Sequence, residues 1–365
     1  LAKILKKNKV IHIFTAFMTT YMHIKPYSNQ HNYGLGCFSF LALLLLLNFS
    51  ALRAQEVIPT YSDYLTSNLF LIHPSMAGAS NYDQIRLTAR RQWFDVEDAP
   101  NLQTLAYNSR IGEKIGVGGI VFRDENGNFS KMGFYGSIAY HLMFSRSTAD
   151  LNQLSFGISA GVIQHRLDTS GFSRFDPLLG ASDTDLFANM DLGISYFVRD
   201  LYFHFAAKNI ISVNRELFYS DAVPSNMRKY LFSAGYVFTL NPNDPWSFEP
   251  SLLFQAREAT NEMALDANMK AYYEIESGRL WGGLSYRNSF ESTEYTAQGE
   301  EIKRQQLRYI TPFVGVNYNK FIFGYTFSYQ LNSLVLSNGG FHQITLGYNF
   351  GESRKRYDCK CPAIN

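Results

Sequence analysis

No run of apolar residues in this chain reaches the ~20 that a helix needs to cross a bilayer. The longest, Phe38-Ser-Phe-Leu-Ala-Leu-Leu-Leu-Leu-Leu47, has ten. That excludes a polytopic helical membrane protein. Acidic residues are absent from positions 1–54, which hold Lys3, Lys6, Lys7, Lys9, Lys25 and Arg53. The formal charge of +2 therefore belongs to this leader, and the remainder is acidic on balance. A nucleic-acid partner does not follow from it. Cysteine is scarce, three in 365 residues. Cys37 precedes the apolar run, where lipid attachment would require it to follow. Cys359 and Cys361 form a Cys-Lys-Cys near the end. Two ligands are too few for a closed metal site, and the segment reads as a solvated tail.

The basic leader and the short apolar run suit a secretory signal peptide. Ser50-Ala-Leu-Arg-Ala54 followed by Gln55 reads as the cleavage region. The leader is long and begins with Leu, so the translation start is expected to be internal, at Met22. The expected organisation is a signal peptide over 1–54, an N-terminal segment over 55–82, a barrel over 83–350 and a periplasmic tail over 351–365.

Aromatic residues are abundant, with 24 Tyr and 30 Phe. They recur with period two. Phe321, Phe323, Tyr325, Phe327 and Tyr329 alternate with Ile322, Gly324, Thr326, Ser328 and Gln330. Phe156, Ile158, Ala160 and Val162 alternate with Gly157, Ser159 and Gly161. Strands with one apolar and one polar or small face give this pattern. The alternation predicts strands near 83–93, 101–110, 114–123, 131–141, 151–167, 187–197, 200–208, 228–239, 246–256, 262–275, 279–288, 307–317, 320–330 and 341–350. Only helices and closed barrels satisfy their backbone in lipid. The expectation is thus an all-β, antiparallel transmembrane barrel of about 14 strands in the outer membrane, with lipid as a partner. Connections sort into a short, periplasmic set and a longer, outer set that includes 124–130, 168–186, 209–227 and 289–306. Pro312 cannot donate to a ladder and is expected at a bulge or strand start. Tyr61–Ile72 is expected to form a short helix that plugs the lumen or lies at its periplasmic mouth. Ile344, Leu346, Tyr348 and Phe350 form the alternating, aromatic-ended signal of a closing strand.

Chemistry-bearing motifs are missing. There is no nucleophile elbow, zinc helix, phosphate loop or dinucleotide fingerprint in a suitable context. Gly116-Val-Gly118-Gly119 lies inside a strand, where glycines relieve crowding or allow curvature. His73, His141, His165, His204 and His342 are scattered along the chain. Asp95, Glu97 and Asp98, like Asp183 and Asp185, suit calcium chemically but read as solvated loops. Arg90, Arg91, Arg279 and Arg287 lie on strands and, facing inward, would pair with Asp191 or Glu274. The expectation is no enzyme, no cofactor and no metal.

Four segments together resemble the PorP/SprF family. Asn68-Leu-Phe-Leu-Ile-His-Pro-Ser-Met-Ala-Gly78 is similar to its N-P-x-x-A-G opening, through Pro74 and Gly78. Gln92-Trp93, Ala99-Pro100 and Gln103-Thr104 resemble its QW…GAP…QT stretch. Trp281 to Arg287 resembles its W-x-G-x-x-Y-R strand. Phe341-His342 to Phe350 resembles its closing strand. The chain departs at His73 (usually Asn), Asp98 (usually Gly) and Gln343 (usually Glu). The resemblance implies an outer-membrane barrel of the type IX secretion and gliding machinery. Its implied partners are a secreted adhesin, whose export or surface anchoring it supports, or other secretion components. A passive channel for small solutes is the alternative.

Overall fold

The computed structural model describes residues 68–92, 99–145, 151–169, 184–211, 228–241, 244–296, 302–331 and 340–351, with the side chains of 291–296 and 302–307 left aside. Fourteen antiparallel strands close into one barrel. They are β1 (Asp83–Gln92), β2 (Asn101–Ile111), β3 (Ile115–Asn126), β4 (Phe129–Met143), β5 (Asn152–Leu167), β6 (Thr184–Val198) and β7 (Leu201–Lys208). The second half is β8 (Lys229–Tyr236), β9 (Trp246–Arg257), β10 (Met263–Ile275), β11 (Gly278–Thr296), β12 (Ile302–Tyr318), β13 (Phe321–Gln330) and β14 (Phe341–Phe350). Each strand pairs with its sequence neighbours. The barrel closes where β1 pairs with β14, from Asp83 opposite Phe350 to Gln92 opposite Phe341. Closure removes both sheet edges, which is what lets strands stand in lipid.

The expected alternation holds in three dimensions. On β5, Gln153, Ser155, Ser159, Ile163 and His165 are buried in the lumen, while Phe156, Ile158 and Val162 face outward. Aromatic rings gather at the end where strands are joined by short turns. Tyr107, Phe350, Tyr348 and Phe321 contact one another in sequence, and Tyr236, Phe238, Phe248, Trp246 and Tyr273 do the same further round. Such rings mark a membrane interface, and in outer-membrane barrels the short turns face the periplasm. Arg199 and Asn319 adopt positive φ (54° and 51°) to reverse the chain in these turns.

Four expectations need correction. Over its described part, 68–72, the expected helix is a 3-10 turn, Leu69–Leu71, followed by a second, Pro74–Met76. Pro74 stands at the start of the second and blocks a continuous helix. The expected outer loop 289–306 is mostly ladder, because β11 and β12 run on to Thr296 and from Ile302 past a bulge between Asn288 and Ser292. The expected loop 124–130 shrinks to the turn at Gly127-Asn128 between β3 and β4. Pro312 sits in the middle of β12, opposite Leu284, and at neither a bulge nor a strand start. Towards β13 the ladder passes from Ile310–Tyr329 to Phe313–Thr326, so the missing donor falls in a gap. Thr311 spans it by donating to the Ser328 hydroxyl at 3.0 Å.

Candidate functional site: a segment seated on the lumenal wall

Residues 68–81 precede β1 and lie inside the barrel. Phe70, Leu71, Ile72 and Met76 are buried there. The wall under them is shaped by glycine. A Cβ on Gly116 would lie 1.9 Å from the Ala77 carbonyl oxygen, and one on Gly157 2.3 Å from the Ser75 nitrogen. A Cβ on Gly118 would strike the Phe70 ring at 2.4 Å. The glycines of β3 are thus the floor of a seat. Gly119, on the outer face, has only ordinary contacts.

Polar side chains of the wall then tie the segment down. Asn108 accepts from the Gly78 N–H at 3.2 Å. Arg110 donates through Nε to the Gly78 carbonyl at 2.7 Å. His141 Nε2 lies 2.9 Å from the Ala77 carbonyl. A carbonyl only accepts, so Nε2 carries the proton and Nδ1 accepts, with the Ser155 hydroxyl 2.8 Å away. The Ser75 and Ser195 hydroxyls share a bond of 2.6 Å, and Ser195 also meets His204 Nδ1 at 2.7 Å. Lys208 donates to the Leu71 carbonyl at 3.1 Å and pairs with Asp191 at 3.4 Å. His73 Nε2 meets Ser233 at 3.2 Å, and its ring lies 4.8 Å from that of His204. Burial, and then the neighbouring His204 and Lys208, hold the His73 imidazole well below its ordinary pKa, so it is neutral.

The rest of the lumenal wall is polar, and much of it is buried. Glu249 accepts from Tyr202 at 2.5 Å and from Tyr272. The Lys270 ammonium lies over the rings of Trp281 and Tyr272, at 4.3 and 4.6 Å. Arg287 pairs with Asp266 through two bonds, 2.5 and 2.7 Å. Arg279 pairs with Glu274 at 2.7 Å, and the Arg90 guanidinium lies 5.0 Å from the Phe341 ring. Asp191 therefore takes a lysine, rather than one of the strand arginines expected from sequence, because Lys208 is its lumenal neighbour on β7. Arg91 points outward. Four lumen-facing side chains from the two walls, Ser195, His204, Asp266 and Thr311, are at most 3% exposed.

The residues singled out in the sequence scatter over this frame. Pro74 and Gly78 lie in the seated segment. Gln92 ends β1 and donates its N–H to the Pro100 carbonyl at 2.9 Å, closing the base of the first outer connection beside the buried Ala99. Thr104 faces the lumen and Gln103 faces outward. Arg287 stands on β11. His342 lies on the outer face, 2.6 Å from the Tyr325 hydroxyl. Ile344, Leu346 and Tyr348 face outward on β14, and Phe350 ends it in the aromatic ring. Ala54, Gln55, Trp93, Asp95, Glu97, Asp98, Asp183, Cys359 and Cys361 fall outside the described residues. Sequence reasoning missed the seat itself, made by Asn108, Arg110, Gly116, His141, Gly157, Ser195, Lys208 and Ser233. Among the described residues there is no group of three His, Cys, Asp or Glu placed to hold a metal.

The family described as type IX secretion system membrane protein PorP/SprF matches residues 54–348. No curated protein matches the chain. Among solved structures, a TodX monoaromatic hydrocarbon channel mutant is 11% identical with a TM-score of 0.44, covering 78% of this chain and 94% of that one. The CymD monoaromatic hydrocarbon channel is 10% identical with a TM-score of 0.43, covering 80% and 94%. BamA from Haemophilus ducreyi is 8% identical with a TM-score of 0.38, covering 74% and 70%.

Proposed function

This chain belongs to the PorP/SprF family of type IX secretion system membrane proteins, and on that premise we propose that it is a scaffold barrel for secretion. It supports the export or surface anchoring of a partner adhesin and performs no catalytic step of its own. The barrel stands in the outer membrane, with an apolar belt towards lipid and short turns towards the periplasm.

One observation carries the reading: lumenal side chains of both walls, Ser195, His204, Asp266 and Thr311 among them, are buried, and residues 68–81 are bonded to one wall. A water-filled solute channel, as in barrels of about 16–18 strands, keeps a wetted wall. A lumen filled by a fixed segment leaves the outer connections and the periplasmic face to meet a protein. Deletion of the gene tests this. One surface adhesin should then fail to reach the cell surface while outer-membrane integrity is kept. Unchanged surface display of every secreted protein would defeat the proposal, and loss of small-solute uptake instead would favour a channel.

A further inference from the structure

The outward face of β1–β6 is banded by strand register. Leu87, Leu105, Val121, Phe134 and Val162 are successive cross-strand partners and form one apolar row, 45–54% exposed. Two residues nearer the outer end, the partners read Gln103, Arg123, Met132, Gln164 and Leu186. Two further on they read Arg91, Asn101, Glu125, Ser130, Arg166 and Thr184. Along each of these strands the outward residues thus pass from apolar to polar within three rows.

Between the first two rows runs a groove of about 580 Å³, with Thr104, Phe122 and Gly133 in its floor. It reaches from β1 to β6, about 24 Å at the usual strand spacing. Its lining is chiefly apolar, and Arg123 stands on its outer rim. Across the β1–β14 seam, the row of Arg91 continues as His342 and Phe327, whose rings are 4.9 Å apart. There the barrel carries the aromatic belt of an ordinary interface.

We propose that this flank binds one lipid with a phosphorylated headgroup and several acyl chains, taken from the outer leaflet. An acyl chain lies in the groove, and phosphate meets Arg123, Arg91 and Arg166. Arg123 now pairs with Glu125 on the surface. Such exposed pairs are weakly held, and a phosphate accepts two parallel N–H bonds from one guanidinium. Gln103 and Gln164 add amide donors beside it. Arginine stems lie along apolar surface while their heads reach the polar boundary, and each of these three stands beyond the apolar row on its own strand, two residues past Val121 for Arg123 and four past Leu87 and Val162 for Arg91 and Arg166.

The test is native mass spectrometry of the full chain in detergent, with bis-phosphorylated lipid A or phosphatidylethanolamine added. One lipid A should be retained in preference to phosphatidylethanolamine. The triple variant Arg91→Ala, Arg123→Ala, Arg166→Ala should bind it on the order of a hundredfold more weakly. Val121→Trp should displace it by filling the groove. Arg308→Ala, at an exposed position on β12 away from this flank, should change nothing. If the triple variant does not fold, Arg123→Gln alone should still weaken retention. Equal retention of the two lipids would mean annular lipid only and overturn the proposal. So would undiminished lipid A binding in the folded arginine variant or in Val121→Trp.

Discussion

Gly116→Ala puts a single methyl where the seated segment touches the wall. That methyl would lie 1.9 Å from the Ala77 carbonyl oxygen and 2.7 Å from His141 Nε2. Two backbones meet here, so no flexible side chain can give way. The substitution disrupts the His141–Ala77 bond, worth roughly 1 kcal/mol net. It also overpacks a tight contact, at roughly 1–3 kcal/mol. Together these weaken seating by about 3 kcal/mol, roughly a 150-fold shift towards the unseated state. Amide exchange over residues 74–79 reads this directly. The Met76, Ala77 and Ala79 amides are bonded within the segment, and that of Gly78 is bonded to Asn108. They should exchange about a hundredfold faster in Gly116→Ala. Gly119→Ala, three residues along on the lipid face, meets nothing closer than 3.4 Å and should behave as the parent. Equal protection in both variants would refute the seat.

Further outcomes follow from the same contacts. The seated state holds His73 neutral and the released segment does not. Seating is therefore strongest above the ordinary histidine pKa of 6.5 and weakens as pH falls below it. Exchange over 74–79 measured between pH 8 and 5 should show this, and His73→Gln should reduce the dependence. Asp266→Asn leaves Arg287 without its carboxylate in a buried setting, at a cost of about 3 kcal/mol. The heat-modifiable mobility transition should fall clearly, and adding Arg287→Gln should recover part of the loss. Leu346→Arg puts a charge on the lipid face of β14, at about 2–4 kcal/mol if near the midplane. Refolding into vesicles should then suffer more than with Thr345→Ser, which faces the lumen.

The strands were legible because membrane and lumen impose opposite demands on alternate residues. Phe321 to Gln330 shows this over ten positions, and β13 has those bounds. Where that contrast ends, the signal ends. Around 289–306 the sequence is mostly polar in both phases. Alternation there says nothing, although the backbone ladder continues to Thr296 and from Ile302. The two-residue turn at Gly127 was hidden in the same way. The seat was illegible for another reason. Its bonds join positions far apart, such as Ser75 with Ser195 and His73 with Ser233. Each wall residue looks, in sequence, like any small or polar lumenal position. The glycines of β3 were noticed as crowding relief, but nothing local says that the crowding comes from Ala77 and Phe70. The histidines that looked scattered divide in space. His73, His141 and His204 gather at the seat, while His165 packs between Phe129 and Phe187 and His342 faces outward.

Single-channel recording of the full chain in planar bilayers tests most directly whether this barrel is a filled scaffold. The parent should be electrically silent, and Gly116→Ala should show brief openings as the segment leaves its seat. Sustained ohmic steps from the parent, unchanged by Gly116→Ala, would contradict the filled lumen and return the barrel to the class of passive channels.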